Sequence, residues 1–276
     1  MEHLSGKVAV ITGAASGIGL AMANRFGAAG MRLMLADIEA DPLADAAAGL
    51  RAHGYDVSSN VCDVADASAV QALADATMEA YEGVHVVCNN AGVGTGGPMA
   101  DVALAEWEWV LGVNLWGVIH GVRSFLPLMR AGGEGHIVNT ASVAGLFSAP
   151  FMGPYNVSKF GVVTLSETLF HELKLSGDNI GVSVLCPAWV RTRIHESHRN
   201  RPESAGGPSA ADEGVQSMIG NLIAGGIDPE AAAEDVLNAV VHNRFYVLTH
   251  DDSAAAVQAR ADAITNGEPP PFVMPQ

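Results

Sequence analysis

The chain has 276 residues, a net charge of −16, and 49% hydrophobic against 16% charged residues. That composition fills one large core or two small ones, which excludes disorder for most of the chain. The acid excess (pI near 4.8) argues against nucleic acid and anionic membrane surfaces as partners, since both demand clustered Lys and Arg. Cys62, Cys88 and Cys186 are widely spaced, each within an apolar run. They make neither a disulfide framework nor a zinc spacing, so no metal site is expected. Residues 1–7 lack the order of a signal peptide, and no apolar run reaches the ~18 residues of a membrane span. The expected location is the cytoplasm.

In chain order, Val8–Thr12 reads as a buried strand and Gly17–Ala28 as a helix. Arg32–Asp37 is a second strand and 41–53 an Ala-rich helix; Val57–Val61 is a weak third strand and Ala67–Tyr81 a helix. A fourth strand covers 84–89, two helices 106–123 and 124–130, then a strand 136–140, a helix 154–175 and a strand 181–186. Segment 191–226 is polar, without a clear period, and reads as an irregular substrate lid. A helix over 229–243, a strand over 245–249 and a helix over 253–264 follow. Residues 267–276 hold four prolines and read as a tail, extended or wrapped on a neighbour. Continuous apolar strands alternating with helices imply an α/β doubly wound parallel sheet, three layers thick, in a single domain over 1–266.

The turn after the first strand is Thr12-Gly13-Ala14-Ala15-Ser16-Gly17-Ile18-Gly19. Its glycines allow a tight turn and close approach to a pyrophosphate, with helix N–H groups aimed at the anion. Asp37 ends the second strand, eighteen residues after Gly19. An acid there accepts hydrogen bonds from a ribose diol and repels a 2′-phosphate, which favours NAD over NADP. Asp63-Val64 and Asn89-Asn90-Ala91-Gly92 follow the third and fourth strands, at the strand ends where such sheets bind ligands.

Tyr155 and Lys159 lie four apart near a helix start, so they share a face. A nearby ammonium favours the phenolate of a tyrosine whose free pKa, about 10, is too high for a base near neutrality. Ser142 follows the fifth strand and is placed to hold a substrate oxygen. Asn114, a polar amide among Gly-Val-Asn-Leu-Trp, is placed to hold a water or a backbone carbonyl behind Lys159. The spacing of His195-Glu196-Ser197-His198 is not that of a metal site.

In this ordered set (TGAASGIG at 12–19, NNAG at 89–92, Asn114, Ser142, YNVSK at 155–159) the sequence resembles the short-chain dehydrogenase/reductase family, in its branch of ordinary length. The resemblance implies a Rossmann fold and a catalytic set of Asn114, Ser142, Tyr155 and Lys159. Tyr155 is implied as the general base in oxidation and the acid in reduction. Lys159 is implied to hold the nicotinamide ribose and lower the Tyr155 pKa, and Asn114 to support a proton-relay water. The implied NAD contacts are Gly13, Ser16, Gly17, Ile18, Gly19, Asp37, Asp63, Val64, Asn89, Asn90, Ala91, Gly92, Tyr155, Lys159, Pro187, Val190 and Thr192. Ala188 stands where the family usually has a Gly.

By the same resemblance, Gly94 to Gly96, Val143 to Phe147, Phe151, Trp189 and the 191–226 lid wall the substrate pocket. Their apolar character points to a hydrophobic secondary alcohol or its ketone, while Arg191, Arg193, Arg199 and Arg201 keep an anionic substrate open. The runs GVNLWGVIHG and CPAWVRT and the lid residues 197–202 look like bacterial relatives that oxidise bulky aromatic or alicyclic alcohols, among them Cα-dehydrogenases of lignin-type aryl ethers. Trp107, Trp109 and Trp116 are expected to pack helices. Family practice implies a homotetramer, or else a dimer. The alternatives are an NADP-dependent 3-oxoacyl-type reductase and a non-catalytic NAD-binding sensor.

Overall fold

The computed structural model describes residues 1, 3–203 and 210–272; part of the expected lid, 204–209, and the tail residues 273–276 lie outside them. The elements begin with β1 (Val8–Thr12), α1 (Gly17–Ala28), β2 (Arg32–Asp37), α2 (Ala40–Ala52), β3 (Val57–Val61), α3 (Ala67–Tyr81) and β4 (Val86–Asn89). Next come α4 (Leu104–Leu111), α5 (Gly117–Gly132), β5 (Gly135–Thr140), α6 (Gly153–Ser176) and β6 (Ile180–Cys186). The last are α7 (Ala210–Ala224), α8 (Pro229–His242), β7 (Tyr246–Leu248) and α9 (Ser253–Asn266).

The alternation of side chains along the strands decides the layers. Ala9 and Ile11 of β1, with Leu33 and Leu35 of β2, face α1, α2 and α8 through Met22, Phe26, Leu43, Leu50 and Val236. Val8, Val10, Met34 and Ala36 face the other way, onto α3, α5 and α6 through Val70, Leu73, Phe125, Met129 and Leu173. Each large side chain buried in this way contributes about 1.5–3 kcal/mol. The strands pair in the order β3-β2-β1-β4-β5-β6-β7, each neighbouring pair parallel. This is a single-domain Rossmann fold. Strand order reverses between β1 and β4, which opens a crevice at their carboxyl ends.

Two expectations need correction. The helical region expected as 106–123 and 124–130 is not divided at Ser124: α5 runs through it and on past Pro127. The irregularity lies earlier, in a π-helical turn, Gly112–Trp116, with helical backbone on both sides. Segment 191–226 is also not irregular throughout: it contains a 3-10 stretch, Ile194–Asn200, and α7. Among the described residues no helix is long and apolar enough to cross a membrane.

His136 lies in β5 with 1% exposure. Its Nε2 is 2.8 Å from Ser183 Oγ, which itself donates to Arg244 O at 2.6 Å. The serine proton is therefore committed, and the imidazole is the donor in the first bond. Burial pushes its pKa down to about 3, so the folded chain keeps the ring neutral while the unfolded chain protonates near 6.5. Between those values the unfolded state binds the extra proton, and this contribution to stability is lost as pH falls below about 6.5, by up to ~1.4 kcal/mol per pH unit. Urea unfolding followed from about pH 7 to about pH 5 is expected to show this slope, and His136→Asn is expected to reduce it.

Candidate active site

The cofactor end of the crevice is built on close approach. A Cβ on Gly19 would stand 2.0 Å from Gly13 O, and Gly13 itself adopts φ +66°. Only glycine at 19 lets α1 start directly against the turn. Ser16, the N-cap of α1, makes no side-chain cap, and no acid occupies the first turn, so the helix N-terminus suits an anion. Thr12 Oγ1 accepts from the backbone N–H groups of Asn90 (2.9 Å) and Ala91 (3.1 Å) and donates to Cys88 O (3.3 Å). Asn90 Nδ2 donates to Thr12 O at 3.0 Å. Asp37 accepts from Ala15 N (3.0 Å) and Glu39 N (3.1 Å), which fixes its carboxylate on the crevice wall.

At the other end, Ser142 caps the turn after β5. Its Oγ accepts from Ala144 N (3.1 Å) and donates to Pro187 O (3.2 Å). A Cβ on Gly145 would stand 2.5 Å from Lys159 O, so this glycine lets the serine turn press onto α6, where Tyr155 and Lys159 sit. Lys159 is 2% exposed; its Nζ donates to Thr140 O at 2.9 Å and lies 5.5 Å from the Tyr155 ring centre. Burial lowers the Lys159 pKa to about 8, with the Cys186 thiol acting in the opposite direction. Burial raises the Tyr155 phenol to about 12, against a smaller downward pull from Ser142. Desolvation of the phenolate thus sets the direction, and the downward pull on the phenol comes from Ser142 and not, as expected, from Lys159.

The crevice encloses about 860 Å³ and touches the loops after β1 to β6. A family model described as short chain dehydrogenase matches residues 7–203. The chain belongs to the short-chain dehydrogenase/reductase family. This family member is 37% identical over 254 residues to 1-deoxy-11-beta-hydroxypentalenate dehydrogenase of Streptomyces avermitilis, covering 91% of this chain and 87% of the relative. It is 32% identical over 274 residues to C alpha-dehydrogenase of Sphingobium sp. strain SYK-6, covering 98% and 89%. It overlays with a TM-score of 0.97 and 43% identity on a short-chain dehydrogenase/reductase from Burkholderia phymatum, crystallised in complex with NAD, over 100% of both chains.

In this short-chain dehydrogenase/reductase the crevice is lined by Gly13, Ser16, Gly17, Ile18, Asp37, Asp63, Val64, Asn90, Ala91 and Gly92, and by Ser142, Tyr155, Lys159, Pro187, Val190 and Thr192. Three expected site residues stand behind that wall. Gly19 packs on Gly13 O. Asn89 is buried in β4 and donates through Nδ2 to Asn139 Oδ1 at 2.9 Å, so it joins β4 to β5. Asn114 is fully buried; its Oδ1 accepts from Val93 N (2.8 Å), and its Nδ2 donates to Val93 O (2.9 Å) and Ser158 Oγ (3.2 Å). It holds the backbone carbonyl of Val93 and braces the loop after β4 against α6.

Glu39 and Trp109 were not expected in the lining, whereas α7 lies within the expected lid. Glu39 accepts two hydrogen bonds from Arg199 Nε at 3.1 Å and one from Nη2 at 2.9 Å, and Arg199 holds its carboxyl below the usual carboxylate range. Met218, Ile219, Leu222 and Ile223 of α7 form an apolar wall. Trp109, expected only to pack helices, lines the crevice beneath Arg201. Arg191 pairs with Asp228, Arg193 with Glu196 and Arg201 with Glu106. With Arg199 on Glu39, each arginine of the lid cluster has an acidic partner.

Replacing Asn114 by Ala leaves both buried backbone groups of Val93 without their side-chain partner. A buried group left unsatisfied costs about 1–3 kcal/mol, so denaturant unfolding is expected to register a loss of at least that size, together with reduced turnover.

Proposed function

We propose that this chain is an NAD-dependent oxidoreductase that interconverts a bulky hydrophobic secondary alcohol, aromatic or alicyclic, and its ketone. The observation that carries the reading is the meeting of Ser142, Tyr155 and Lys159 on one crevice whose far end presents Asp37 and the bare start of α1. The donor set fits a dinucleotide: α1 and its glycine turn take the pyrophosphate, Asp37 the adenine ribose, Lys159 the nicotinamide ribose, and Pro187, Val190 and Thr192 the nicotinamide side. When bound, NAD supplies the hydride acceptor, and the family member from Burkholderia phymatum was crystallised with it. Asp37 and the adjacent Glu39 make that end acidic, and the nearby Arg199 is already bonded to Glu39, which supports NAD over its 2′-phosphorylated form.

Ser142 orients the substrate oxygen, and Tyr155 removes the hydroxyl proton in oxidation and returns it in reduction. Lys159 holds its place through Thr140 O, 5.5 Å from the Tyr155 ring centre, and while protonated its charge favours the phenolate. Asn114 acts at one remove, as a positioning residue for the wall around Gly92 and Val93. The apolar wall and the paired arginines support a neutral, hydrophobic substrate. The three cysteines are buried and free, which suits the reducing cytoplasm. Exposed Leu104, Trp116 and Val157 on the packed group of α4, the π-turn and α6 support self-association, for which the family resemblance favours a homotetramer over a dimer. Light scattering is expected to give a mass of four chains, and a monomer would remove that part of the reading.

NADH formation at about 340 nm from 1-phenylethanol and cyclohexanol derivatives, compared with NADP, tests the activity. Tyr155→Phe is expected to lower kcat by about 10²–10⁴-fold while the Kd for NAD stays close to that of the unchanged protein; retained turnover would refute the mechanism. Since burial holds the phenol near 12, oxidation is expected to accelerate from neutral to alkaline pH, whereas reduction, which uses the protonated phenol, is not.

A further inference from the structure

The crevice is also lined by a residue far along the chain, beyond the last helix. Phe272 lines the crevice yet is 73% exposed, so it belongs to no core of its own. How it reaches that place can be followed from α9. That helix seats Ala256 and Val257 against Val143 and Phe147, two residues that also line the crevice, and Arg260 lies 5.1 Å over the Phe160 ring on α6. Gly267, at φ +70°, ends α9; Gly267 N donates to Ile264 O at 3.3 Å and Glu268 N to Ala263 O at 2.8 Å. The chain leaving this fixed point is Pro269-Pro270-Pro271-Phe272. Consecutive prolines lock φ near −65° and favour a stiff extended rod of ~3.1 Å per residue. The aromatic ring is therefore carried to the crevice mouth with little conformational freedom left to lose when a ligand arrives.

We propose that Phe272 is a substrate-specificity residue: the proline rod holds its ring over the mouth of the crevice, where it covers the outer part of a bulky apolar substrate. The inference rests on the secondary-alcohol reading above. On this proposal a small alcohol held at Tyr155 leaves the ring uncovered. A bulky one extends outward along the crevice and buries its far face, and the ring's, against each other. The tail thus selects by size, while Tyr155 and Ser142 act alike on all substrates.

The test compares kcat/KM for 1-phenylethanol and for 2-propanol in the unchanged protein, in Phe272→Ala and in Phe272→Leu. Loss of one aromatic contact is expected to lower the ratio of the two values about five- to tenfold in Phe272→Ala, with partial recovery in Phe272→Leu. Replacing Pro269, Pro270 and Pro271 together by Gly, with Phe272 kept, is expected to lower the ratio by an intermediate factor. A purely structural role moves both alcohols together and leaves the ratio unchanged, which overturns the proposal. Should the unchanged protein oxidise neither alcohol, the alcohol reading itself fails, and the tail is judged without turnover. The three native cysteines are buried, so a dansyl label placed on Phe272→Cys is selective. A shift of its emission on adding benzophenone supports the ring's place over the crevice, and an unchanged emission refutes it.

Discussion

The hydroxyl of Thr12 holds together the point where the sheet reverses. In a parallel sheet the strands end at one edge, and where their helices leave to opposite faces the two strand ends are parted. Thr12 Oγ1 closes that gap without filling it, with two backbone donors from the loop after β4 and one bond to Cys88 O. The glycine turn after β1 and the Asn90–Gly92 turn after β4 are thereby set side by side, and the crevice between them is the site. Thr140 Oγ1 extends the tie by donating to Asn90 Oδ1 at 3.2 Å, and Thr140 O receives Lys159. A few side-chain bonds at the strand ends thus fix the cofactor end and the chemical end relative to each other.

The layers and the strand-end placement of most site residues were legible in the sequence because they follow from local rules: strand alternation, glycine turns and residues four apart on a helix. What was not legible depends on direction or on distance along the chain. Asn89 and Asn90 are the same residue type in succession, but strand alternation sends the first into the sheet toward Asn139 and leaves the second at the crevice. The apolar set Met218, Ile219, Leu222 and Ile223 has helical spacing, yet Gly220 interrupts it, Gly214 precedes it and Gly225 and Gly226 follow it, and glycines lower the local helix propensity. That α7 forms there reflects packing on the crevice, which overrides propensity. The Glu39–Arg199 pair joins residues 160 apart, and no local pattern announces it.

The acid excess of the chain takes on a particular meaning at the site. Arginines gathered over an acidic surface are easily read as a trap for an anion, but here each is matched by a carboxylate: Arg193 by Glu196 of its own segment, and Arg191, Arg199 and Arg201 by Asp228, Glu39 and Glu106 from other parts of the fold. The Arg201–Glu106 pair is almost wholly buried, where a broken pair costs far more than an intact one contributes. These cations fasten the 191–203 segment over the crevice, and their charge is spent within the protein.

The π-turn at Gly112–Trp116 has a further consequence. It lies within one continuous run of helical backbone from α4 into α5, and a turn of this kind adds about one residue to the regular winding. Because each residue of an α-helix advances the direction of its side chains by about 100°, the added residue offsets the phase of α5 from that of α4. One part of the run can therefore address α6, and the other α3 and the sheet. The two halves are geared to each other through a count of residues and not through any one side chain. Shortening the turn by a single position would bring them back into phase and rotate Asn114 away from Val93, so this stretch tolerates changes of letter far better than changes of length.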